Sequence, residues 1–101
     1  MDTYTVILSP DRETGGYVAI CPAMAGAAAE GETREETLGA LAKVMEVWLD
    51  LGARDGYGPV AETTELLGHV ITEVLEDRDV EGWDRAIELV ALSPHRSPVA
   101  V

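Results

Sequence analysis

The stretch that most constrains this chain is Gly16-Tyr17-Val18-Ala19-Ile20-Cys21-Pro22-Ala23-Met24-Ala25-Gly26, closed by Gly31-Glu32-Thr33-Arg34-Glu35-Glu36. Tyr17 to Cys21 is a β-branched and aromatic run that reads as a strand. Pro22 has no N–H for a ladder and should end or bulge it. Gly26-Ala27-Ala28-Ala29-Glu30-Gly31 has weak strand propensity. Glycines bound it and a helix start follows at once, so it reads as a further strand. Thr33 and Glu36 form a capping box: the hydroxyl accepts an N–H three residues on, and the carboxylate reaches back to the Thr33 N–H.

The remaining pattern fits around this unit. Thr3 to Ser9 reads as a first strand with Tyr4, Val6 and Leu8 on one face. It joins Tyr17–Cys21 as an antiparallel hairpin through the turn-rich residues 10–16. The helix opened by Thr33 runs to about Leu51, where Gly52 is placed to stop it. Leu38, Leu41, Ala42, Met45, Trp48 and Leu49 follow helical spacing and should cover the sheet. Val44, Val47 and Leu51 form an adjacent stripe that one sheet face cannot also bury, so a second helix or another subunit should meet it. After a loop at 53–60, residues 64–79 read as a second helix with Leu66, Leu67, Val70, Ile71, Val74 and Leu75 on one stripe. Residues 85–92 fit a last strand, with Ile87, Leu89 and Ala91 opposite Glu88, Val90 and Leu92. A helix over 83–92 is the open alternative.

The expectation is one α+β domain over residues 1–92, in the order β-β-β-α-α-β, followed by a flexible tail at 93–101. Its antiparallel sheet has three to four strands, with the helices packed on one face. At 101 residues the chain can bury a single core. It has no Phe, two Trp and three Tyr, so aliphatic side chains must fill that core. The single cysteine, Cys21, excludes an internal disulfide framework. No apolar run approaches the roughly 18 residues of a membrane span, and the first residues lack a signal-like pattern. A cytoplasmic chain with no membrane partner is expected.

A net charge of −12 bears on partners. Residues 61–84 hold eight acids against Arg78 alone. Nucleic-acid binders need Lys and Arg to displace counterions from phosphates, so direct nucleic-acid binding is not expected. A basic protein is a compatible partner, because complementary potentials steer association. Solubility alone also accounts for such a balance.

Little in the sequence points to chemistry. The first strand carries no acid between Thr3 and Ser9, and Asp11 and Glu13 fall in the following loop, which argues against a two-metal nuclease. Cys21 ends an apolar strand with no His nearby and reads as a core residue. His69 lies on the polar side of the second helix, and His95 has no companion at zinc-ligand spacing. The run Glu76-Asp77-Asp79-Glu81-Asp84 lacks the glycine and terminal glutamate of an EF-hand loop. No catalytic residue, metal site or cofactor is expected.

The chain resembles the HicB antitoxin family. The resemblance lies in Tyr4-Thr5-Val6-Ile7-Leu8, Gly16-Tyr17-Val18-Ala19 and Cys21-Pro22-Ala23-Met24-Ala25-Gly26. It continues through Glu30 to Leu38 and on to Glu46-Val47-Trp48-Leu49, about the first half of the chain. It implies a partial ribonuclease H-like fold and a role in binding and neutralising HicA toxins, small basic ribonucleases that cut messenger RNA. Ala27, Ala28 and Ala29 depart from the family, where a cysteine or larger β-branched residues are usual. Nine residues follow the last predicted strand, so an operator-binding module is not expected within this chain. The function expected is that of an antitoxin, not an enzyme, which occludes the toxin's RNA-binding surface. The alternative is an orphan oligomeric binding module of the same fold with no toxin. Glu30, Glu32, Glu35 and Glu36 are the expected contacts to a basic partner. Ala27, Ala29, Val44, Val47 and Leu51 are the expected interface of a homodimer or higher oligomer.

Overall fold

Burial on both faces marks the central strand. The computed structural model of the chain describes residues 3–11, 14–77 and 87–94. Within it, β1 (Tyr4–Pro10) keeps Val6, Ile7, Leu8 and Ser9 all buried. It pairs antiparallel with β2 (Tyr17–Ile20) and β4 (Glu88–Leu92), while β3 (Ala28–Gly31) pairs antiparallel with β2. The four-stranded order is β3-β2-β1-β4. Helix α1 (Arg34–Asp55) follows β3, and helix α2 (Thr64–Asp77) precedes β4. The α+β architecture and its element order match the sequence expectation.

One face of the sheet makes the core with α1. Val6, Leu8, Ala19, Cys21, Ala23, Met24 and Ala27 pack there against Leu41 and Met45. Leu38, Trp48 and Leu49 pack half-buried around them. On β4, Val90 and Leu92 turn to this core, and Leu89 is exposed. Ile7 is buried outside the cluster, flanked in the ladder by Ile20 and Leu89. Helix α1 lies over β3 and β2 and does the covering of that face.

Several boundaries differ from expectation for local reasons. β2 ends at Ile20, and Cys21 enters a tight turn in which the Met24 N–H donates to Cys21 O and the Ala27 N–H to Met24 O. That turn buries Ala27 and shortens the third strand to Ala28–Gly31. Helix α1 passes Gly52 and ends at Asp55, capped by Gly56 at φ 84°. Gly52 is buried under Tyr57, whose N–H donates to Gly52 O at 3.0 Å. The glycine needed for a left-handed cap is therefore four residues later than expected. The second helix is described to Asp77, so residues 78–79 of its expected span lie outside the described residues. So do 85–86 of the last strand and the tail from residue 95. Pro94 is buried.

β2 stops opposite Ile7, leaving the first residues of β1 without a strand on that side. Glu62 fills the place: its carboxylate accepts the Thr5 N–H at 2.7 Å and the Thr5 hydroxyl at 2.9 Å. The Val60 N–H donates to Ala23 O at 2.9 Å, tying the same connection to the Cys21–Ala27 turn. Burial pushes the Cys21 thiol up. The Ala23 and Met24 N–H groups oppose that shift, and the Glu62 charge adds to it.

Leu41 is fully buried and Val47 is 55 % exposed, although both lie on α1. Leu41→Ala should cost about 2–5 kcal/mol and Val47→Ala less than about 0.5 kcal/mol. Urea unfolding midpoints compare the two directly.

Candidate functional site

The junction of β3 and α1 is built by its first helical turn. The Thr33 hydroxyl accepts the Glu36 N–H at 3.0 Å, as the capping box requires. The returning Glu36 carboxylate accepts the Glu32 N–H at 3.2 Å, one residue before the cap amide expected from sequence. Thr37, fully buried, donates its hydroxyl to Thr33 O at 2.8 Å. A Cβ on Gly31 would stand 2.9 Å from that hydroxyl, and one on Gly16 would collide with Gly31 O. The β2 entry, the β3 exit and the helix start are thereby pressed together.

A cleft of about 540 Å³ opens at this junction, lined by Thr14, Gly16, Glu30, Gly31, Glu32 and Glu36. Three of the four acids expected to meet a partner thus share one concavity. Glu35 is exposed on the first helical turn and is not among the lining residues. Arg34 lies within the same acidic run, but it is committed elsewhere. Its Nε donates to Glu88 Oε1 at 3.0 Å and its Nη2 to Glu88 Oε2 at 2.8 Å, a bidentate pair. Among the described residues no ion pair reaches Glu30, Glu32 or Glu36, while the Arg34 charge is felt by Glu35. Acids at a helix N-terminus are favoured by the helix dipole, which is how the fold tolerates their proximity.

A second concavity of about 400 Å³ runs along α1 beside the turn before β3. Gly26, Ala27, Val44, Val47, Trp48 and Leu51 line it, with Lys43 also at its wall. Val47 and Leu51 are 55 % and 41 % exposed, so among the described residues the second apolar stripe of α1 meets no other helix. Of the expected interface residues, Ala27, Val44, Val47 and Leu51 come together here. Ala27 contributes from a fully buried position, and Ala29 packs half-buried against the core instead. Sequence reading placed Trp48 in the core and missed it as a wall of this groove. Its indole N–H donates to Ala25 O at 3.0 Å, and Tyr57 meets the ring edge-on at 5.0 Å. The signal is present in the spacing, since Trp48 stands one helical turn after Val44, where the two stripes border each other.

Little else gathers reactive groups. Among the described residues no three His, Cys, Asp or Glu side chains stand close enough to hold a metal ion. His69 is exposed, 3.5 Å from Glu73 one helical turn on. Of the acidic run that begins at Glu76, Asp79, Glu81 and Asp84 lie outside the described residues. Among the described residues no helix is long and apolar enough to cross a membrane.

Comparison with known proteins gives one partial likeness. The chain is similar to the UPF0150 protein ssl0259 of Synechocystis sp., 47 % identical over 47 residues. That match covers 46 % of this chain and 63 % of the relative. No protein-family model matches the chain, and no solved structure matches it.

The junction yields two measurable consequences. The Arg34 guanidinium holds the Glu88 carboxyl below its ordinary range. That pair's stabilisation is complete above the ordinary carboxylate pKa and fades as pH falls through the lowered value. Glu88→Gln should therefore flatten the acid limb of a stability–pH profile, with the larger loss relative to wild type at neutral pH. Gly16→Ala should destabilise by about 1–3 kcal/mol through the forced collision with Gly31, read as a lowered urea midpoint.

Proposed function

We propose that this chain is a HicB-like antitoxin that binds a small basic toxin of the HicA type and covers its RNA-binding surface. The observation carrying this reading is the acidic cleft at the β3–α1 junction. Glu30, Glu32 and Glu36 line it, and the nearest arginine in sequence is held by Glu88. Among the described residues no cation pairs with the carboxylates of this cleft, which suits it to receive Lys or Arg from a partner. The overall charge of −12 adds long-range attraction for a basic protein and repulsion for RNA. The resemblance of residues 4–49 to HicB proteins and the likeness to a UPF0150 protein support the same reading. In this role the chain performs no reaction; it acts in the cytoplasm by occupying the surface on which the toxin would bind messenger RNA.

The test is co-expression with the product of an adjacent short reading frame encoding a basic protein. Copurification and relief of that protein's toxicity are expected. Glu30→Lys combined with Glu32→Lys should slow association about tenfold or more at low salt and weaken its salt dependence. An on-rate unchanged by this charge reversal would overturn the assignment of the cleft.

A further inference from the structure

β3 is an outer strand of the sheet, and its alternation decides which backbone groups are free. The Cys21 N–H donates to Ala27 O, while Ile20 stands opposite Ala28 and Val18 opposite Glu30. The backbone groups of Ala27, Ala29 and Gly31 therefore turn towards β2, and those of Ala28 and Glu30 turn to the outer edge, where no further strand pairs among the described residues. Natural edges are commonly blunted by lysine, proline or a bulge. Ala28–Gly31 contains no lysine or proline. The other outer strand, β4, likewise carries no lysine or proline, but both concavities described above lie beside β3 and neither is lined by β4.

The two concavities lie at opposite ends of this edge. The apolar groove reaches Ala27 and the acidic cleft reaches Gly31. These residues are four apart, about 13 Å along a strand, and share one face of the sheet. Building on the reading of the chain as a binder of a basic protein, the geometry points to β-strand addition as the means of capture. An extended segment of the partner joins β3 as a further strand. It sets an apolar side chain in the groove over Ala27 and, beyond the other end of the edge, a Lys or Arg in the cleft beside Gly31. Main-chain bonds to Ala28 and Glu30 supply affinity, and the two end pockets supply specificity. Trp48 is already fixed by Ala25 and Tyr57, so the groove needs little ordering on binding. Charge selects this occupant over a second copy, which would bring its own Glu30, Glu32 and Glu36 and a further net charge of −12 to the same edge.

The test uses a blocked eight-residue peptide of alternating valine and threonine with two arginines at one end, titrated into the full chain. A peptide with glutamates in place of the arginines is the control. Amide NMR should show slowed exchange at Ala28 and Glu30 and a shifted Trp48 indole signal. The control peptide should bind about tenfold more weakly or worse. Ala28→Pro removes an outward N–H without breaking the ladder, and Val47→Asp places a charge at an exposed position in the groove. Each should weaken the arginine peptide about tenfold while core amide signals stay in place. Absence of binding would overturn strand addition. So would binding that responds to Glu30→Gln and Glu32→Gln but not to Ala28→Pro or Val47→Asp, an outcome that leaves the cleft as a basic-side-chain site. Light scattering that shows a dimer dissociated by Ala28→Pro would assign the edge to a second copy and overturn the proposal. Peptide binding alongside failed toxin neutralisation supports the strand site and counts against the antitoxin role alone.

Discussion

The first turn of α1 fixes nearly everything that follows it. Thr33 caps the helix two residues after β3 ends, and buried Thr37 bonds back to Thr33 while standing against Gly31. The chain must therefore reverse at once, and α1 returns over the strand it has just left. Leu41 and Met45 then fall on the sheet, while Val47 and Leu51 fall beyond it. A helix beginning two residues later would turn by more than half a revolution and exchange those faces. The core and the groove are thus two results of one short set of hydrogen bonds.

The same turn explains why the acids sit where they do. Carboxylates at Glu35 and Glu36 favour the helix N-terminus, and Glu30 and Glu32 arrive with the strand that leads into it. Structural usefulness gathered the negative charge, and the one arginine within that run, Arg34, pairs with Glu88 instead of with the cleft acids. The negative concavity at this junction needs no further device than this. The apolar groove arises in parallel, because a two-striped helix placed near the edge of a small sheet can bury one stripe against it.

Much of this was legible in the residues and some was not. The capping box, the core stripe of α1 and the order of elements came from local spacing, and local spacing is what decides them. Periodicity does not reveal the end of α1, because Gly52 satisfies a packing need against Tyr57. The start of β3 is equally hidden, because the Cys21–Ala27 turn is held by backbone bonds, to which three alanines are indifferent. At the candidate site, the acids at 30, 32 and 36 could be named from charge together with the family resemblance. That Glu35 stands apart from the cleft, and that Trp48 walls the groove, depended on helix rotation relative to the sheet.

The carboxylate of Glu62 substitutes for two missing residues of β2. Because β2 ends opposite Ile7, Thr5 would otherwise present an unpaired N–H beside the core turn. A chain whose second strand ran on past Cys21 would have no use for an acid at this place. A chain with the short strand would need one, or a Gln or Asn able to accept the same bond. Strand length and the residue at position 62 are thus one hydrogen-bonding requirement met at two distant points of the sequence.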